Sequence, residues 1–179
     1  NREVAVSRWI KQHLEPAERI RDFRVTGEYS YRSRYCASDG LVLAGDAFAF
    51  LDPVFSSGVF LALSSGEAVG AAVEAALVAS DFSASRFTEY STTLCRSVEV
   101  MRKLVYAFYD EAFSFGRLFY RYPDLRPDVT DCLIGNLSRD FEQLFEAIGE
   151  FAEIPKKLDY GDPFTTATGA EEPQREASS

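Results

Sequence analysis

Two short polar runs in this chain carry the residue types that chemistry needs. Gly45-Asp46 ends the apolar run Leu41-Val42-Leu43-Ala44, and downstream Asp52-Pro53 leads to Ser56-Ser57-Gly58-Val59. The second run opens a long helical pattern rich in small residues. A strand that hands over to a helix N-terminus across glycine and polar residues suits an anionic or electron-rich ligand. The first helical amides have no intrahelical partner, and the helix dipole puts partial positive charge on the same spot. Glycine at the strand tip lets a ligand approach the backbone, and the next carboxylate can accept hydrogen bonds from sugar-like hydroxyls. Read blandly, Asp46 caps the following turn, and Ser56 and Ser57 are ordinary N-caps.

The surrounding elements must hold these runs in place. Val4, Val6, Trp9, Ile10 and Leu14 give a short helix that stops before Pro16. Aromatic and β-branched residues between Ile20 and Cys36 predict one or two strands, with Gly27 a bend or bulge. Ser38-Asp39-Gly40 is a turn signal, and Leu41–Ala44 reads as a strand buried on both faces of a sheet. From Ser56 or Ser57 to about Val78 the pattern is helical. Ala62, Gly66, Gly70 and Val73 share one face, where each glycine costs about 1 kcal/mol of helix propensity. Close backbone approach against a sheet is the expected compensation. Phe87, Tyr90, Leu94, Val98, Met101, Val105, Phe108, Ala112, Phe115, Phe119 and Tyr122 then form one continuous seam. That predicts a long amphipathic helix with a break near Gly116. A helix starting at Pro127 would present Val129, Cys132, Leu133 and Leu137. A last one carries Phe141, Leu144, Phe145, Ile148 and Phe151. From Tyr160 the composition predicts a disordered tail.

Composition bounds what the chain can do. Its 179 residues, 46% hydrophobic and 14% aromatic, suffice for a packed domain or a piece of a larger one. A net charge of −9 argues against a nucleic-acid partner and against an anionic membrane surface. Cys36, Cys95 and Cys132 are scattered, so neither a metal site nor a disulfide framework is indicated, and a cytoplasmic setting follows. No uninterrupted apolar stretch reaches membrane-spanning length, since Glu67 and Glu74 interrupt the apolar helix, and no signal peptide is apparent. The abrupt start at Asn1, inside a helical pattern, suggests that the N-terminal part of a longer protein is missing.

The run Leu41–Ala47 together with Asp52-Pro53-Val54-Phe55-Ser56-Ser57-Gly58-Val59 resembles the second FAD-contacting segment of flavin-dependent halogenases and related FAD-dependent monooxygenases. Tyr29-Ser30-Tyr31 and Phe108-Tyr109-Asp110 are similar to the same family. The likeness runs loosely from Val4 to Phe151. It implies the C-terminal portion of a FAD-binding, glutathione-reductase-like flavoprotein with an α+β, helix-rich fold. Residues 1–40 would be the end of the substrate domain, 41–79 the final strand and helix of the FAD domain, and 80–159 a helical region before the 160–179 tail. By the same resemblance Asp46 reaches the ribityl chain of FAD, with Gly45 giving clearance. Pro53, Ser56, Ser57, Gly58 and Val59 line the cofactor, and the amides of Ser57 and Gly58 hold a halide. A reduced-flavin supply such as a flavin reductase, and a small aromatic substrate that can be carrier-tethered, are the partners implied.

The chain also departs from that pattern. It has no G-x-G-x-x-G for the ADP half of FAD and no Trp-x-Trp-x-Ile-Pro, and Trp9 stands alone. The family's catalytic lysine is expected in the N-terminal part, so Lys11, Lys103, Lys156 and Lys157 read as solvated. His13 reads as a surface histidine. Asp110 and Glu111, adjacent on a helix, do not pair. Phe113, Phe115, Phe119 and Tyr120 read as packing rather than as a substrate pocket. A FAD-dependent monooxygenase, a geranylgeranyl-reductase-like enzyme and a cofactor-free helical interaction module remain the alternatives. The isolated chain is expected to be inactive.

Overall fold

The computed structural model describes residues 6–18, 20–22, 24, 25 and 30–156. Val4, Phe23, Gly27, Tyr29, Lys157 and the expected tail lie outside these. Helix α1 (Arg8–Leu14) is capped by Ser7, whose Oγ accepts from the Ile10 amide, and buries no residue. Its expected apolar stripe is therefore unpacked: Trp9 is 67% exposed and stacks on His13 instead. Ile20 and Val25 are also exposed, and among the described residues strand β1 is Tyr31–Arg32. It pairs antiparallel with β4 (Ala49–Phe50).

β2 (Ala37–Ser38) and β3 (Leu41–Val42) form an antiparallel hairpin around Asp39-Gly40, as that dipeptide predicts. The Asp39 carboxylate accepts from the Ala84 amide, and the Gly40 amide donates to the Phe82 carbonyl. These bonds stitch the hairpin tip to the loop after the next helix. The expectation of a strand buried on both faces is corrected here. β3 pairs only with β2 among the described residues, and Leu41 is exposed. Leu43 still bonds Cys36 across the pair through its amide, before the chain enters a 3-10 turn over Gly45–Ala47.

Helix α2 (Gly58–Ala79) is apolar on most of its circumference, and by length and composition it is apolar enough to cross a membrane, unlike the sequence expectation. Both glutamates, Glu67 and Glu74, are exposed, while Leu61, Ser65 and Ala76 are buried. Close approach at Gly66 and Gly70 does not occur: a Cβ at either would meet nothing within 4 Å. The tight approach is one turn earlier, at Ala62, where Gly45 packs.

Helix α3 (Thr88–Tyr109) is the amphipathic helix that the seam predicted. Its first half, with Tyr90, Leu94 and Val98, packs with Cys36, Phe48 and Ala49. Its second half, with Met101, Leu104 and Ala107, builds a larger core with Leu61 and the helices that follow. Near the junction lies a buried ion pair. Arg102 donates to Glu99 through Nε at 3.0 Å and Nη2 at 2.9 Å, and Nη2 also reaches the Lys156 carbonyl at 2.6 Å.

The helix breaks at Asp110, ahead of the expected position near Gly116. The Asp110 carboxylate accepts from the amides of Ala112 and Glu153, which turns the chain and lowers its pKa. Ser114 then caps α4 (Phe115–Arg121) by accepting from the Arg117 amide. Phe113, Phe115 and Phe119 pack in sequence, but Tyr120 is 92% exposed and belongs to no core. Helix α5 (Arg126–Ile134) buries Val129 and Cys132 and leaves Leu133 exposed, while Leu137 is buried from the loop beyond. Helix α6 (Glu142–Gly149) buries Leu144, Phe145 and Ile148 as its pattern predicted.

Gly135 ends α5 at φ +86°, and a Cβ there would lie 2.4 Å from the Phe60 ring. Gly135→Ala combines left-handed strain with a clash and should cost about 2 kcal/mol or more, read by urea unfolding. Burial pushes the Cys132 thiol up to about 12. A raised folded pKa means the contribution is complete below the unfolded value of about 8.5 and is lost as pH rises through the folded one. Stability should therefore decline above about pH 8.5, and Cys132→Ala should flatten the decline, measured by denaturation at several pH values.

Candidate functional site

The strand tip is fastened to α2 by glycine's lack of a side chain. Gly45 sits at φ +51°, and a Cβ on it would lie 3.2 Å from Ala62 Cβ and 3.3 Å from Ala62 Cα. What fills the space next to this glycine is thus the helix backbone. The Gly45 amide donates to Ser65 Oγ at 2.9 Å, and Ser65 is buried. Beneath it, the Tyr90 hydroxyl from α3 donates to the Leu43 carbonyl at 2.7 Å. Burial holds the Tyr90 phenol above its ordinary pKa, so it stays a proton donor.

Asp46 follows in the same turn. Its carbonyl accepts from the Tyr31 hydroxyl at 2.7 Å, and the next carbonyl, of Ala47, accepts from Ser33 Oγ. Phe48, fully buried, anchors the turn from below. The backbone of Asp46 is held at its carbonyl while the residue itself is exposed, and no side chain caps this turn. The capping role considered for Asp46 is therefore not what its carboxylate does here.

The second run folds as a 3-10 turn, Pro53–Phe55, with Asp52 as its cap. Asp52 Oδ1 accepts from the Val54 amide at 3.1 Å and from the Tyr109 hydroxyl at 2.8 Å. Pro53 is exposed at the first position of the turn. Ser56 is left-handed, φ +54°, and its amide closes the turn onto the Pro53 carbonyl. Ser57 is the N-cap of α2 but makes no side-chain capping bond. The first backbone bond of the helix runs from the Leu61 amide to the Ser57 carbonyl, so the amides of Gly58, Val59 and Phe60 precede the helical ladder. Val59 is 72% exposed, and a Cβ on Gly58 would meet nothing within 4 Å. Gly45 rests on Ala62, about 6 Å along the axis from Gly58 by helix rise. The structure brings the Gly45-Asp46 turn and the start of α2 to one end of that helix.

Beside α2 a cavity of about 200 Å³ lies between Phe60, Ser64, Ser65, Tyr90, Leu94 and Leu137, so the two residues that hold the Gly45 turn also line it. Among the described residues no group of three or more His, Cys, Asp or Glu could hold a metal. Lys11 and Lys156 are exposed, and Lys103 lies over the Phe145 ring at 5.1 Å. His13 is exposed, its Nδ1 2.8 Å from the Trp9 carbonyl.

The chain is 32% identical over 124 residues to the 1H-pyrrole-2-carbonyl-[peptidyl-carrier protein] chlorinase of Pseudomonas fluorescens, covering 69% of this chain and 27% of that enzyme. It is 32% identical over 130 residues to the corresponding brominase of Pseudoalteromonas luteoviolacea, covering 73% and 32%. A flavin-dependent halogenase of Penicillium aethiopicum is 40% identical over 86 residues, covering 47% and 16%. Several relatives of this chain are flavin-dependent halogenases, matched over part of its length. The chain spans about a third or less of the length of these halogenases. No protein-family model matches it.

Ser65, Tyr31 and Tyr109 hold the two halogenase-like runs in place; the tyrosines stand out in sequence only as members of family-like tripeptides, and Ser65 was not singled out. Ser65 had a signal, a hydroxyl at a buried position of an apolar helix. Tyr109 had none beyond its place in a family-like tripeptide. Ser65→Ala removes the acceptor of the Gly45 amide and should cost about 1–3 kcal/mol in urea unfolding. Ser64→Ala, whose hydroxyl bonds only its own helix at the Phe60 and Leu61 carbonyls, should stay within about 0.5 kcal/mol.

Proposed function

We propose that this chain supplies the second flavin-contacting segment of a FAD-dependent halogenase, acting on a small electron-rich aromatic molecule. The observation that carries the reading is the start of α2: uncapped amides at Gly58 and Val59, open space at Gly58, and an exposed carboxylate at Asp46 on the neighbouring turn. These groups fit a flavin. Asp46 would accept hydrogen bonds from its sugar-like chain, and the turn Pro53–Ser57 with Val59 would flank its ring. The amides at Ser57 and Gly58 would hold a halide, since N–H donors at a helix start and the positive end of the helix dipole both favour a bound anion. No acidic residue occupies the first turn of α2 itself. Bound reduced FAD, with oxygen and halide, supplies the oxidising chemistry. The part of this chain is to orient the cofactor through Asp46 and keep positive potential at Gly58.

The relatives' names support a pyrrole-like acyl group tethered to a carrier protein as the substrate class. A flavin reductase, or another reduced-flavin supply, is the partner such an enzyme needs. Residues 41–79 act as the FAD segment in this proposal, and the helices from Thr88 to Gly149 buttress it.

The test is FAD titration of the full-length gene product, followed by mass spectrometry of products made with chloride or bromide. Asp46→Ala should weaken FAD binding about tenfold or more. Gly58→Asp, which places a negative charge against the dipole, should raise the halide KM about tenfold with a smaller change in FAD affinity. A full-length protein that cannot be loaded with FAD removes the proposal in favour of an interaction module. Halide-independent hydroxylation would instead make it a monooxygenase.

A further inference from the structure

We propose that Tyr109 is a positioning residue for the Asp52–Ser57 turn, so that the helical region sets the shape of the flavin-facing segment. This deepens the flavin reading and rests on it. The turn cannot hold itself easily. Ser56, a residue with a Cβ, sits in the left-handed region at φ +54°, a conformation that persists only where surrounding contacts over-determine it. Two bonds inside the turn contribute, Val54 amide to Asp52 Oδ1 and Ser56 amide to the Pro53 carbonyl.

The third is from outside. The Tyr109 hydroxyl, 57 residues away in sequence at the last position of α3, donates to the same Oδ1 at 2.8 Å. Asp52 Oδ1 is thus shared between the turn's own amide and the end of another helix. The neighbouring rings fix the approach. Phe108 meets Phe55 edge-to-face at 5.3 Å, and Phe115 of α4 meets Phe55 at 6.4 Å. Phe55 lies in the turn itself, so both its apolar and its polar side are clasped by α3 and α4. Asp52 does not face the start of α2 with a free oxygen at Oδ1, because two donors already occupy that atom.

Amide hydrogen exchange on the 179-residue chain tests the clasp directly. Tyr109→Phe removes only the hydroxyl and should speed exchange of the Val54 and Ser56 amides about three- to tenfold, without speeding the amides of α6. Asp52→Asn keeps an acceptor oxygen and should exchange at the wild-type rate. Asp52→Ala should exceed Tyr109→Phe, and the double variant should add nothing to Asp52→Ala. Tyr120→Phe, which changes an exposed ring, is the control. Wild-type exchange at Val54 and Ser56 in Tyr109→Phe would overturn the proposal, as would equal acceleration across the chain. In the full-length protein Tyr109→Phe should raise the FAD dissociation constant by a similar factor. If wild-type full-length protein fails to bind FAD while the exchange effect stands, the flavin reading falls and the clasp remains. An exchange effect without any change in FAD affinity would overturn the claim that Tyr109 acts on the flavin-facing shape.

Discussion

The arrangement depends on one contact, the seating of Gly45 against the first turns of α2. A backbone with no Cβ, in a conformation that favours glycine, lies within van der Waals reach of Ala62, and its amide is held by a buried serine. Remove that contact and the strand tip has no fixed relation to the helix that follows it. Everything proposed for the two runs requires that relation. Asp46 is presented outward because the residue before it is pinned inward, and its own carbonyl is held by Tyr31. The same glycine that looks in sequence like clearance for a ligand is, in the fold, clearance for a helix.

Around this contact the structure is layered by proximity to α3. Its first half supports the hairpin and the Gly-Asp turn through Tyr90, Leu94 and Val98, and its second half organises the helices that close the chain. The helical region is therefore continuous with the supports of the candidate site. Tyr90 and Tyr109, near its two ends, each send a hydroxyl to one of the two family-like runs. The two runs owe their shape to residues far along the chain.

The legible part of the sequence was the part governed by local pattern. The seam of α3, the Asp39-Gly40 hairpin, the α6 stripe and the long apolar helix after Gly58 all follow from periodicity and turn chemistry. The two runs that make up the candidate site also stand out in the sequence, because a strand, a Gly-Asp pair and a serine-glycine helix start leave a composition trace. What was not legible depends on long-range partners. The break at Asp110 needs the amide of Glu153, which no window around Asp110 contains. Gly66 and Gly70 carry the small-residue spacing of a close approach, yet the approach is made at Ala62, and only the fold decides which turn of a helix meets a neighbour. In the aromatic stretch before Cys36, the described residues form one strand pairing, Tyr31–Arg32 with β4, and that partner lies 17 residues further along the chain.

The ion pair of Glu99 and Arg102 has a consequence for how α3 can move. Both groups are buried, and the guanidinium is also bonded to the Lys156 carbonyl. Glu99 and Arg102 lie on the same helix, so a rotation of α3 by one residue, about 100°, would carry them together and leave the pair itself intact. What it would break is the bond from Arg102 to the Lys156 carbonyl, which ties the turning of α3 to the backbone beyond α6.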